Sequence, residues 1–130
     1  MEQGFKLLSW MVFPSNTRTI AVEDDPIYGG AHLYHINTCN GFDPEKNDAV
    51  YTKNATLIQF VQKNDDGTMI DGLQSEQLAY VLLDRCKKLN ARFPSEHNEK
   101  QMRGLEMFLE GCKDRVEERM ARGVMGELKK

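Results

Sequence analysis

Cysteine is scarce in this chain. The three cysteines, Cys39, Cys86 and Cys112, form no CxxC pair. An odd, scattered set argues against a disulfide framework and for a reducing compartment. Long apolar runs are missing too. No stretch approaches the roughly 20 apolar residues of a membrane span, and the opening segment MEQGFKLLSW has no apolar run behind a basic start. No secretory signal and no membrane partner are therefore expected, and the expected location is cytoplasmic. Net charge is small, at -3, which does not suggest a binder of DNA or RNA polymers. Catalytic signatures are absent as well. Gly29-Gly30 is followed by no Lys-Ser/Thr and sits in no GxGxxG, so it is not a phosphate loop. No Ser/His/Asp, Cys/His or paired-carboxylate arrangement stands out. His32, His35 and Cys39 lack a fourth ligand, and the two histidines fall on opposite faces of a single strand. The expectation is a binding protein, with no catalytic residue, metal or cofactor assigned.

What is present is organised in two parts. The pattern predicts an α+β chain: an antiparallel β-rich part over residues 1–70, then an antiparallel two-helix hairpin over 71–130. In the first part, Phe5–Phe13, Thr17–Val22, His32–Thr38 and Thr56–Gln62 read as strands from their β-branched, aromatic and alternating content. Pro14-Ser15-Asn16 ends the first of these. Glu23–Ala31 and Asn40–Lys53 read as long loops, and Asn64-Asp65-Asp66-Gly67 as a turn. From Gly72 the period becomes helical. Ser75 is the expected N-cap, and Leu78, Val81, Leu82, Cys86 and Leu89 the expected packed stripe, ending near Arg92 before Pro94. Ser95 caps a second helix with the stripe Met102, Leu105, Leu109, Cys112, Val116 and Arg119, ended by Gly123 and Gly126. So short a connection requires the two helices to pack antiparallel.

Charge divides along the same line. Residues 1–73 hold 5 basic against 10 acidic side chains, and residues 74–130 hold 12 against 10. Anion binding is thus expected in the second part. Its strongest candidate is Arg115, Arg119 and Arg122, whose offsets of four and seven place them on one helical face. The guanidinium fork suits phosphate through paired, charge-assisted hydrogen bonds. The alternative is a solvated face paired with Asp114, Glu117 and Glu118, worth little to stability. Arg119 favours the first reading, because it continues an apolar stripe. Gly104 and Gly111 lie seven apart on one face, each costing roughly 1 kcal/mol against alanine. They mark either close approach of a helix or ligand, or simple tolerance. His97, alone in the interhelical turn, reads as solvated.

Beyond these patterns, the second part resembles a known family. The residues are Asp71-Gly72-Leu73 with Glu76-Gln77-Leu78, then Asp84-Arg85, then Phe93-x-x-Glu96-x-Asn98. The run closes on Arg115-x-x-x-Arg119-x-Ala121-Arg122-Gly123-Val124-x-Gly126. This stretch, somewhat under half the chain, is similar to the hairpin domain of phage anti-Thoeris and anti-CBASS signal-sequestering proteins, most closely the Thoeris anti-defence family. That resemblance implies a sponge. It would bind a nucleotide immune second messenger, a cyclic ADP-ribose isomer or a cyclic oligonucleotide, without cleaving it. It also implies ligand contacts from Asn98, Arg115 and Arg119, and assembly as a homodimer or a higher even-numbered homo-oligomer. The family has an aromatic near the end of the first helix; Lys88 and Leu89 stand there in this chain.

Distance adds a constraint. Asn98 and Arg115 are 17 residues apart, about 25 Å along one helix. If both touch one ligand, they come from different chains, and a two-fold pairing would make two identical pockets. Two other readings compete with the sponge: a small accessory protein that binds a host protein through the hairpin, and an enzyme acting on a nucleotide.

Overall fold

A computed structural model describes residues 5–7, 20–24, 31–64 and 66–123. The chain divides into two compact units, Met1–Gly72 and Leu73–Lys130. The architecture is α+β: an antiparallel β part followed by two packed helices. No described helix is long and apolar enough to cross a membrane.

The first unit is an antiparallel meander of β1 (Phe5–Leu7), β2 (Ile20–Asp24), β3 (Ala31–Asp43) and β4 (Asp48–Gln59), in that spatial order. A two-stranded ribbon, β5 (Gln62–Lys63) with β6 (Met69–Ile70), follows. Val22 is buried and pairs in register with Tyr34, whose ring meets Phe60 edge-on at 5.6 Å. The turn expected at 64–67 closes the β5–β6 ribbon. There Gly67 takes a positive φ of 86°, and Asp66 Oδ1 accepts hydrogen bonds from the Thr68 amide at 2.9 Å and hydroxyl at 2.6 Å. Those bonds favour the charged carboxylate and hold Asp66 below its ordinary range.

Two expectations for this unit are corrected. Residues 40–53 are not a long loop. They form the distal half of a β3–β4 hairpin whose turn occupies only residues 44–47. Asp43 Oδ1 accepts from the Glu45 and Lys46 amides at 3.0 and 3.3 Å, and Asn47 adopts φ 54°. The polar composition that suggested a loop is overridden by cross-strand pairing, with register shifts absorbing Asn40 and its neighbours. Strand β2 also runs on through Glu23 and Asp24, which were assigned to the acidic loop. Residues 8–19 and 25–30, which hold the rest of the first strand, the Pro14 turn and most of that loop, lie outside the described residues.

The second unit is α1 (Ser75–Arg92) and α2 (Glu96–Ala121). Helix α1 starts one residue earlier than expected: Gln74 is its N-cap, with its amide donating to Gln77 Oε1 at 2.8 Å. Ser95 caps α2 as expected, its Oγ accepting the Asn98 amide at 3.1 Å. Helix α2 ends at Ala121, and Gly123 follows with φ 72°, its amide donating to the Met120 carbonyl at 3.1 Å. Val124 and Gly126 lie outside the described residues.

Two contacts fix how the helices pair. The Glu76 carboxylate meets the Cys112 thiol, and Cys86 Sγ lies 3.6 Å from Gln101 Oε1. Ten residues forward on α1 is thus eleven back on α2, an antiparallel register. Of the α2 stripe expected to pack, Met102, Leu105, Leu109 and Cys112 are half-buried in the paired region, whereas Val116, beyond the start of α1, is 38% exposed. The α1 stripe packs only in part: Leu78 and Cys86 are half-buried along with Glu76 and Asn90, Ala79 and Leu83 are buried, and Val81, Leu82 and Leu89 are 63%, 49% and 42% exposed. Apolar residues occupy two faces of α1, and periodicity alone does not say which meets α2; small Ala79 lets the chosen one approach closely.

Gly72 generates a stability test. A Cβ there would lie 2.4 Å from the Phe60 carbonyl carbon, 2.5 Å from the Val61 nitrogen and 2.6 Å from the Gln59 oxygen. All three are backbone atoms, which cannot swing aside. Gly72→Ala is expected to lower unfolding free energy by about 1–3 kcal/mol in chemical denaturation. Gly41→Ala, with nothing within 4 Å, is the control and should change it by less than about 0.5 kcal/mol.

Candidate functional site

The unequal lengths of the two helices define the site. Helix α1 has 18 residues and α2 has 26. In the register set by Glu76–Cys112 and Cys86–Gln101, the first residue of α1 lies level with residues 112–113 of α2. The last eight residues or so of α2 therefore run past the start of α1, about 12 Å of helix. Arg115 and Arg119 stand on that overhang and Arg122 is its C-cap, so the three guanidinium groups occupy successive turns.

Their environments differ. Arg122 Nε pairs with Glu118 Oε1, one turn back. This is the surface pairing of the solvated-face alternative, and Glu117 is likewise engaged by Lys113 at 3.9 Å. Arg115 is exposed and forms no ion pair among the described residues. Arg119 is half-buried, beyond the last residue that faces α1. Next to this group, burial pushes the Cys112 thiol up, the Glu76 carboxylate against it adds to the effect, and Arg115 opposes it. The thiol therefore stays protonated, able to donate to Glu76.

Asn98 sits at the other end of α2. The helix is continuous from Glu96 to Ala121, so Asn98 and Arg115 of one chain do not meet. Asn98 already has structural work: its Nδ2 donates to the Phe93 carbonyl at 2.9 Å, beside the Ser95 cap and the bond from the Ser95 amide to Asn90 Oδ1 at 3.1 Å. A second N–H and Oδ1 remain on the amide. Phe93 was not picked out as a site residue from the sequence. It is 62% exposed in the same turn, with the Arg92 guanidinium 5.0 Å from its ring centre.

Among the described residues no group of three or more His, Cys, Asp or Glu side chains converges.

The turn bonds predict that Asn98 matters without any ligand. Asn98→Ala should cost about 1 kcal/mol of stability through the Phe93 carbonyl it leaves unpaired. Ser95→Ala should cost about 0.5–2 kcal/mol through the lost cap. Thermal unfolding of the ligand-free protein reads both. No protein-family model matches this chain, and no curated protein matches it.

Proposed function

We propose that this chain is a sponge: it binds a nucleotide-derived immune messenger, a cyclic ADP-ribose isomer or a cyclic oligonucleotide, and holds it without cleaving it. In the host bacterial cytosol such a phage-type protein would block Thoeris- or CBASS-type defence. The observation that carries the reading is the arginine row on the overhanging end of α2, with Arg115 exposed and Arg119 half-buried. Guanidinium groups on successive turns fit the spacing of linked phosphates, and their forks make charge-assisted bonds to them. Arg122, held by Glu118, supplies charge more than direct contact. The Phe93 ring and the spare valences of Asn98 offer a base-binding edge. That edge lies at the opposite end of α2, so one ligand meets both only when they come from two subunits. The residue set contains a binder's groups and no assigned nucleophile or general base, which is what sequestration requires.

A second reading, a small accessory protein that docks on a host protein through the hairpin, is favoured by the exposure of Val81, Leu82 and Phe108.

Binding, thermal shift and ligand fate separate these. A messenger that binds only the native state should add roughly 2.7 kcal/mol at a hundredfold excess over Kd. Heating the complex should release the messenger intact; an enzyme would return product, and a protein-docking module would take none up. Arg115→Ala and Arg119→Ala should each weaken binding by about thirty- to a thousandfold, roughly 2–4 kcal/mol, while the protein stays folded. Arg119→Lys should bind poorly, since an ammonium cannot reproduce the planar fork. Arg122→Ala should cost less than either. Unchanged calorimetric affinity in the Arg115 and Arg119 variants would remove the site.

A further inference from the structure

Three pairs among the described residues place a glycine directly after an asparagine or an aspartate: Asn40-Gly41, Asp66-Gly67 and Asp71-Gly72. Such a pair carries the parts of a reaction within itself. The glycine amide nitrogen is a latent nucleophile, and the side-chain carbonyl carbon of the residue before it is the electrophile. No Cβ on the glycine hinders their approach. Whether they meet depends on what restrains the backbone and the side chain.

The fold restrains two of the three pairs. The Gly67 amide donates to the Asn64 carbonyl at 3.1 Å, and Asp66 Oδ1 accepts two bonds from Thr68. Those bonds keep the Asp66 carboxylate ionised, which makes it a poor electrophile. Gly72 is closed in by the backbone of Gln59, Phe60 and Val61. Asn40-Gly41 is held by neither device. Cys39 pairs with Tyr51 and Gly41 with Val50, so Asn40 faces no residue of β4. A bulge of this kind leaves the extra residue unpaired and disrupts the ladder around it. Residues 38–42 are all exposed, and a Cβ at Gly41 would meet nothing within 4 Å. Among the described residues no hydrogen bond engages the Asn40 side chain. The bond at the pair itself runs from Cys39 Sγ to the Gly41 carbonyl at 3.4 Å, and a thiol is a weak donor.

We infer that Asn40 is a self-modification site: in the folded chain it deamidates through a cyclic imide to aspartate and isoaspartate. The Gly41 nitrogen loses its proton to solvent and attacks Cγ of Asn40. The N–Cγ bond forms, the Cγ–Nδ2 bond breaks, and ammonia leaves after taking up a proton from water. One water molecule then opens the ring. Attack at Cγ gives aspartate, and attack at the main-chain carbonyl gives isoaspartate. Nothing is oxidised or reduced, and water is the sole co-reactant. Either product adds a negative charge to residues 1–73, which already hold 10 acidic against 5 basic side chains. Isoaspartate also routes the main chain through the side-chain carbon and lengthens it by one methylene. The pairs beyond the bulge, Gly41 with Val50, Phe42 with Ala49 and Asp43 with Asp48, are the ones this lengthening displaces. Ala49 and Val22 are the buried apolar residues among those described in the first unit. A core that thin has little burial to lose. None of this rests on the proposed function.

Ageing the full chain in mildly alkaline buffer, folded and in denaturant, tests the site. Peptide mapping by mass spectrometry, with an isoaspartyl methyltransferase as the probe for isoaspartate, reads each asparagine separately. Asn40 in the folded chain is expected to react within about tenfold of its rate in denaturant, since an unpaired residue needs little local opening. Asn54 is the internal comparison. It is exposed beside the other register shift of the same hairpin, but Ala55 follows it, and it should stay intact over the same period. Gly41→Ala should slow the reaction at position 40 by about tenfold or more, because the added methyl hinders the attacking nitrogen. In aged protein, hydrogen exchange should quicken over residues 41–50 and stay unchanged over 75–121. An Asn40 protected about a hundredfold by folding, an Asn40 no faster than Asn54, or a Gly41→Ala variant that ages like the wild type overturns the inference. Unchanged exchange over 41–50 in fully modified protein overturns the displacement of the ladder.

Discussion

The register of α1 on α2 governs the second unit. It is held by two polar contacts along a narrow seam, Glu76 with Cys112 and Cys86 with Gln101, and by the small side chain of Ala79 between them. These contacts are individually weak. Their effect is positional: a slip by one helical turn, about 5.4 Å, would move the start of α1 level with Arg115 or retract it toward Phe108. In the observed register the arginine row clears the end of α1. The Glu76–Cys112 pair also ties a first-turn carboxylate, well placed against the α1 dipole, to the residue one turn before Arg115. Local helix electrostatics and the placement of the site are therefore set by the same side chains.

The other end of the hairpin is fixed by polar bonds within the turn. Pro94 cannot continue α1, and three residues consume the polar groups that the reversal leaves open: Asn90 takes the Ser95 amide, Ser95 takes the Asn98 amide, and Asn98 covers the Phe93 carbonyl. Satisfying these groups keeps the turn rigid, because an unpaired backbone carbonyl or amide is costly wherever water is restricted. A rigid turn holds Phe93 and Asn98 at a fixed place on the hairpin. Since α2 is one unbroken helix, that place is also at a fixed distance from Arg115. The separation of about 25 Å is thus a property of the helix and not of a flexible loop.

Some of this was legible in the sequence, and the failures have physical causes. The stripe Met102, Leu105, Leu109 and Cys112 and the Ser95 cap could be read because helical period and capping are local. The facing of α1 could not, because Leu78, Leu82 and Leu89 form as good a stripe as Ala79, Leu83 and Cys86, and only the partner helix chooses between them. Gln74 displaced Ser75 as N-cap through the reciprocal reach of Gln77, a longer side chain than capping preferences favour. The β3–β4 hairpin was missed beyond Thr38 for the opposite reason to α2. Its distal ladder joins residues only five to twelve apart, such as Phe42 with Ala49 and Cys39 with Tyr51, but the polar side chains there show no alternation that would mark a strand. In the site, charge spacing was visible but charge neutralisation was not. Arg122 and Arg115 look alike in sequence, yet only Arg122 has its Nε occupied by Glu118.

Charge distribution explains why an anion site would sit on this helix end and not elsewhere. Residues 1–73 carry twice as many acidic as basic side chains, so their field disfavours a phosphate-bearing ligand. The helix dipole does not help either. The C-terminal end of α2 carries partial negative charge, which favours nearby arginines and repels a bare anion. Three arginines on the last two turns reverse that local sign, and Glu118 cancels one of them. What remains outside the ion pairs of the described residues is the charge of Arg115. An excess of that size holds an anion firmly only where water is partly excluded and a second set of donors closes the other side. Arg119 already meets the first condition in part, being half-buried. The second condition cannot be met from within the hairpin's own turn, which lies at the far end of α2. Under the proposed sponge reading, a second subunit would have to supply those donors.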